Sequence, residues 1–250
     1  MISNKQIKEI QALAQKKVRQ EAQLFVVEGT KTVLELLQSG YEVESLWATA
    51  EWLGAHNPPL PAPKVWVAKP PDLARMSNMA TAPSVLAVAH FKPQSFDVLA
   101  WEQGYILVLD GVSDPGNLGT IIRIADWFGF RAVVCAPSCV ELYNSKVIAA
   151  AMGSVFRQSV VYTELEPFLS QVLAQNTACY AANLQGSNAF TTKFAPKAAL
   201  LVGSESHGIS QDLLNLGVQP VTIPSFGAAE SLNAGVAAGI LCAAMRASNP

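Results

Sequence analysis

The residues that could do chemistry gather in three short stretches, and the first carries a single cation. Arg123 stands between Ile122 and Ile124 in an otherwise apolar helical pattern, where a charge needs a partner or a ligand. The alternative is that it snorkels to solvent or pairs with Asp126, three residues on, at little gain. Ahead of it, Asp114-Pro115-Gly116-Asn117 is a dense turn signal, and Asn117 suits a helix N-cap. The second stretch, Val202 to Gly208, sets the Glu205 carboxylate among small residues, so a carboxylate and backbone N–H groups share one loop. Capping the next helix is an equally open reading of Glu205. The third runs from Ile223-Pro224-Ser225-Phe226-Gly227 to Glu230-Ser231-Leu232-Asn233 and is expected to open a helix with Ser231 and Asn233 in its first turn.

Turns of this kind aim backbone amides and a helix dipole at one point, which suits an anionic or polar ligand, although an ordinary strand-to-helix corner has the same sequence. Two nucleotide sites are excluded. Gly111 and Gly116 have the GxxxxG spacing of a phosphate loop, but Asn117-Leu118 occupy the Lys and Ser/Thr positions. Gly111, Gly116 and Gly119 do not make the GxGxxG of a dinucleotide fold either. Cys135, Cys139, Cys179 and Cys242 form no CxxC pair and no metal-ligand spacing with His56, His90 or His207, so no metal is expected. They read as reduced core thiols of a cytoplasmic protein.

The elements behind these stretches alternate. Strands are expected at 105–109, 131–136, 157–161, 177–182, 198–203 and 218–223, with helices near 118–128, 144–151, 164–175, 209–216 and 229–246. Such alternation predicts a parallel sheet covered on both faces, with ligands at the carboxyl ends of its strands. The N-terminal part begins with one helix over 4–23 that places Lys16, Lys17 and Arg19 on its surface, a face that suits either solvent or RNA. A βαβ-like unit follows (strand 24–28, helix 31–38, strand 43–48). Pro58, Pro59, Pro61 and Pro63, then Lys69-Pro70-Pro71, mark loops, and 84–90 is a last strand. Half of the 250 residues are apolar, enough for a sizeable core. A net charge of -2 gives no global electrostatic case for nucleic acid, so such a role must rest on local patches. No signal peptide is evident, and no apolar run approaches the roughly 20 residues of a membrane span.

Taken in register, the three stretches resemble the SpoU (TrmH) family of RNA ribose 2′-O-methyltransferases, within the SPOUT superfamily. DPGNLGTIIRIA resembles its first motif, LVGSESHGIS its second and IPSFGAAESLNAGVAAGI its third. Ala151 to Arg157 is similar to a further family stretch. Phe25-Val26-Val27-Glu28-Gly29 and Ser84-Val85-Leu86-Ala87-Val88 look like the ribosomal-protein-like substrate-binding domain that many members carry. Departures are Ser206 where Gly or Ala is usual, Ser225 in place of Met, and Gly235 where Ser is frequent.

The resemblance implies a RNA substrate-binding α/β domain over 1–92, a linker over 93–98 and a SPOUT methyltransferase domain over 99–250, mostly parallel and tied in a deep trefoil knot. It implies S-adenosylmethionine as cofactor, held largely by backbone groups of Gly203, Glu205, Gly208, Ile223, Ser231 and Leu232. It assigns the central catalytic role to Arg123, with Asn117 and Asn233 around it. Arginine's pKa of about 12.5–13.8 favours phosphate binding and stabilisation of developing negative charge, with base action as the alternative. Lys16, Lys17 and Arg19 become candidates for RNA contact. A homodimer that completes each site across its interface is implied, as is RNA as partner, ribosomal before transfer RNA. An RNA-binding homologue without turnover, or a non-RNA substrate, are the competing readings.

Overall fold

The computed structural model describes residues 2–56 and 64–249. In chain order the elements are α1 (Asn4–Ala12), α2 (Lys16–Ala22), β1 (Leu24–Glu28), α3 (Thr30–Leu37), β2 (Val43–Ala48), α4 (Ala50–His56), β3 (Val65–Val67), α5 (Pro70–Met76), β4 (Val85–His90), β5 (Gly104–Asp110) and α6 (Pro115–Trp127). Then come β6 (Ala132–Cys135), α7 (Ser145–Ala151), β7 (Ser159–Tyr162), α8 (Leu165–Ala174), β8 (Ala178–Asn188), β9 (Lys197–Gly203), α9 (Gln211–Leu214), β10 (Gln219–Thr222) and α10 (Ala234–Ser248). They form two compact units: Met1–Pro93 with Glu141–Arg157, and Gln94–Val140 with Gln158–Pro250.

The first unit holds a four-stranded sheet in the order β1-β4-β2-β3. The expected βαβ start is interrupted, because β4 lies antiparallel between β1 and β2. Its sequence VLAVAH is apolar almost throughout and buried along nearly its whole length, which suits a central position. The helix expected over 4–23 is two helices. Ser3 and Gln6 form a capping box that starts α1, and Ile7 and Ile10 face the core. The break between α1 and α2 is held by Arg19, whose guanidinium donates to the Leu13 and Ala14 carbonyls at 2.8 Å each. These are carbonyls that a helix end leaves without partners. Arg19 also pairs with Glu141 at 2.8 Å and is buried, so the RNA-facing role expected for it is corrected to a structural one. Lys16 and Lys17 remain exposed. Pro70, read as loop punctuation, instead starts α5, where its missing N–H costs nothing. Pro58, Pro59, Pro61 and Pro63 lie outside the described residues.

The segment Glu141–Arg157 belongs with this unit, although the linear division assigned it to the methyltransferase part. Aromatic contacts account for its placement. Tyr143 stacks on Phe25 (4.4 Å between centroids) and Phe91 (4.1 Å), and Phe156 meets Tyr41 edge-on at 5.4 Å.

The second unit is built on a six-stranded sheet in the order β10-β8-β9-β5-β6-β7. Every neighbouring pair is parallel, as the alternation predicted. Central strand residues such as Ile106, Leu107, Val133 and Leu200 are fully buried, covered on both sheet faces. β8 runs six residues beyond its expected end at 182, with a register shift against β10 at Pro220/Val221. The near absence of side-chain bulk in α10 has a packing reason. A Cβ on Gly235 would meet Thr120 of α6 at 3.3 Å, and one on Gly239 would meet Ile124 at 3.4 Å. All four cysteines are free and buried, and burial pushes the Cys179 thiol up to about 12.

Candidate active site

Two helix starts differ from their expected positions, and both differences create the site. Asp114, not Asn117, caps α6: its carboxylate accepts from the Asn117 N–H at 2.8 Å, with Pro115 in the first helical position. Asn117 therefore sits one turn in with its amide free to reach outward. Likewise α10 begins at Ala234, and Asn233 is its N-cap, its Oδ1 accepting from Gly235 and Val236 at 3.0 and 3.2 Å. Ser231 and Leu232 thus precede the helix in an irregular segment and are not in its first turn.

Between these two helices lies the loop after β9. Ser204 and Gly208 close it by mutual backbone bonds of 3.2 and 2.9 Å, and Ser204 Oγ accepts from the His207 N–H. Gly203 is required here, since a Cβ would stand 2.0 Å from the Gly208 carbonyl carbon. The loop turns Glu205 toward both helices. Its Oε1 accepts from Asn117 Nδ2 at 2.9 Å and Asn233 Nδ2 at 2.7 Å, with the Ala234 N–H at 3.4 Å. Asn233 also donates to Asn117 Oδ1 at 2.8 Å, which closes a triangle of one residue from each of the three stretches. A carboxylate at the start of α10 is favoured by the helix dipole as well.

Beside the triangle, at the carboxyl ends of β9 and β10, is a cavity of about 630 Å³. All six residues expected to hold a cofactor line it: Gly203, Glu205, Gly208, Ile223, Ser231 and Leu232. Sequence reasoning missed Asn183 and Leu184 from β8, as well as His207, Phe226 and Glu230. The signal available for the first pair was their place toward the carboxyl end of a strand in a parallel sheet. Arg123 is not brought to this cavity. It is exposed on α6, while Ile121 and Ile122 are buried. Among the described residues, no group of three or more His, Cys, Asp or Glu could hold a metal ion.

A parallel α/β sheet with a nucleoside-sized cavity at its strand ends and no phosphate loop defines a binder of a small cofactor through backbone and apolar contacts. The SpoU rRNA Methylase family model matches residues 104–243, and an MRM3-like substrate binding domain model matches residues 4–87. The chain belongs to the SpoU rRNA methylase family. It is 30% identical over 246 residues to the 23S rRNA (guanosine(2553)-2′-O)-methyltransferase RlmP of Bacillus subtilis, covering 95% of this chain and 94% of that protein. Among solved structures, a putative RNA methyltransferase of the TrmH family from Porphyromonas gingivalis matches with a TM-score of 0.87 at 34% identity over 98% of both chains. An AdoMet-bound rRNA methyltransferase from Sinorhizobium meliloti matches with a TM-score of 0.86 at 27% identity, covering 100% of this chain and 97% of that one.

The cavity fits S-adenosylmethionine. Val202, Ile209, Ile223 and Leu232 supply apolar walls for a base, and Glu205 and Asn183 supply polar ends. Among the described residues, no backbone N–H from Ser225 to Asn233 is donated to another backbone carbonyl, and the segment is exposed.

Proposed function

We propose that this chain transfers the methyl group of S-adenosylmethionine to a ribose 2′-hydroxyl of ribosomal RNA, with 23S rRNA the substrate. The observation that carries the reading is the Asn117–Glu205–Asn233 triangle beside the cavity at the carboxyl ends of β9 and β10. When bound, the cofactor supplies an electrophilic methyl on a sulfonium. The backbone of Gly203, Gly208, Ile223, Ser231 and Leu232 would hold it, and the triangle locks the ends of α6 and α10 and the loop between them into one rigid wall. The enzyme is thus an RNA ribose 2′-O-methyltransferase that uses S-adenosylmethionine. Ribosomal RNA is preferred to transfer RNA because the Bacillus subtilis and Sinorhizobium meliloti relatives, similar over nearly their whole length, are named as rRNA methyltransferases.

Arg123 acts on the RNA in this reading, binding a phosphate or stabilising developing charge on oxygen. Its exposure on α6 fits that role better than a role in the fold. The same helix exposes Trp127 (84%), and the adjoining α10 exposes Val236 (50%), an apolar surface that a second copy of the chain would cover. A homodimer, with Arg123 serving the partner's cavity, is part of this proposal; Trp127 lies one helical turn beyond Arg123 on α6. Lys16 and Lys17 would add salt-dependent phosphate contacts. The trefoil knot and a cytoplasmic site of action belong to the same proposal. Mapping of 2′-O-methyls in ribosomal RNA from cells with and without the protein tests the function: one modification should vanish. An unchanged map, together with methylation of a transfer RNA, would move the substrate assignment.

A further inference from the structure

Methyl transfer to a ribose requires that its hydroxyl proton leave, and the cavity offers few groups to take it. The titratable side chains that line it are Glu205, His207 and Glu230. Glu205 is committed to the triangle through Oε1, with three donors on that one oxygen. His207 is placed differently. Its backbone is fixed by Ser204 Oγ, and its Nδ1 lies 2.7 Å from Ser206 Oγ. Its Nε2 has no hydrogen-bond partner among the described residues, so one ring nitrogen is oriented while the other is left for a ligand. The Ser206 hydroxyl is the atom that meets the imidazole.

We infer that His207 Nε2 accepts the proton of the ribose 2′-hydroxyl, with Ser206 as a positioning residue that holds the imidazole in the accepting tautomer. The inference rests on the methyltransferase reading above. When Nδ1–H donates to Ser206 Oγ, the lone pair is on Nε2. The 2′-O–H proton passes to Nε2, and the oxygen uses the freed pair to bond the methyl carbon. The methyl–sulfur bond breaks with both electrons left on sulfur, giving a neutral thioether. The imidazolium then returns its proton to solvent. The charged groups lining the cavity with His207 are the carboxylates of Glu205 and Glu230.

The test uses the full chain in three forms: wild type, His207→Gln and Ser206→Ala. The chain has three histidines, so the imidazole signals that vanish from a long-range proton–nitrogen NMR spectrum of His207→Gln identify His207. The wild type should show a protonated Nδ1 and a bare Nε2, and Ser206→Ala a mixture of tautomers. Single-turnover methylation of an unmethylated 23S rRNA transcript should slow as pH falls in the wild type, because imidazolium cannot accept a proton. His207→Gln should be about 100-fold slower or more and lose that acidic limb. Its unfolding transition should match that of the wild type, which shows that it is folded. A His207→Gln enzyme with wild-type rate and an intact limb overturns the base role, and a wild-type tautomer with the proton on Nε2 overturns the part given to Ser206. A wild type that neither binds the cofactor nor methylates RNA overturns the broader reading and this inference with it.

Discussion

Two charged side chains, one in each unit, show how differently the two sheets use polar groups. Arg19 in the mixed-sheet unit is buried and spends its donors on the Leu13 and Ala14 carbonyls and the Glu141 carboxylate, all within its own unit. Glu205 in the parallel-sheet unit is exposed, held by two asparagines, and lines a cavity with an oxygen that makes none of these bonds. The first arrangement specifies a fold and is complete. The second leaves hydrogen-bonding capacity at the strand ends, where a parallel sheet concentrates its loops.

The contrast predicts opposite outcomes for substitutions that look alike. Arg19→Ala should lose about 3–5 kcal/mol of stability in denaturant unfolding, because it strands the Glu141 carboxylate and two helix-end carbonyls. Arg19→Met with Glu141→Gln should recover much of that loss. Gly203→Ala, the smallest change possible, should cost about 3 kcal/mol or abolish cofactor binding, since its Cβ has no space against Gly208. A variant with wild-type melting and cofactor affinity would show that the loop is not closed as described. Asn117→Ala should slow single-turnover methyl transfer about 100-fold with little change in melting, and Asn233→Ala in the same background should add far less than its effect alone. Additive losses would mean that the triangle does not act as a unit.

The smallest effect is on Glu28, whose carboxyl burial pushes up despite the bond it accepts from the Asn78 N–H. A carboxyl raised in the folded state binds more protons there than when unfolded, so stability falls as pH rises from about 4.5 through its folded value. Glu28→Gln should therefore raise Tm at neutral pH by under about 4 °C and flatten this part of the pH profile. A drop in Tm would show that the charged form is favoured.

The parallel sheet was readable because six strands lie between turn signals, all but one consecutive pair separated by a helix, and every expected strand from 105–109 to 218–223 has its counterpart. Helix starts were not. Asn117 and Ser231 both looked helical-terminal by composition, but Asp114 and Pro115 fix the α6 start three residues earlier, and α10 waits for Asn233 to cap it. Arg19 was misread because its partner lies 122 residues away, beyond any periodicity in a single helix. The surroundings of Arg123 were illegible for a related reason: its sequence neighbours Ile122 and Ile124 each lie about 100° from it around the helix and say little about the environment of the residue between them. The meeting of Asn117, Glu205 and Asn233 was not legible in the sequence, since no spacing rule joins residues 88 and 116 positions apart; the resemblance only grouped their three stretches at one site.

The central claim, that the strand-end cavity binds S-adenosylmethionine through backbone and apolar groups, is tested most directly by titration calorimetry of the full chain with S-adenosylmethionine, S-adenosylhomocysteine, ATP and NAD. The account predicts one site per chain for the first two ligands and no binding of the others. Tight ATP or NAD binding with no response to S-adenosylmethionine or S-adenosylhomocysteine would contradict it.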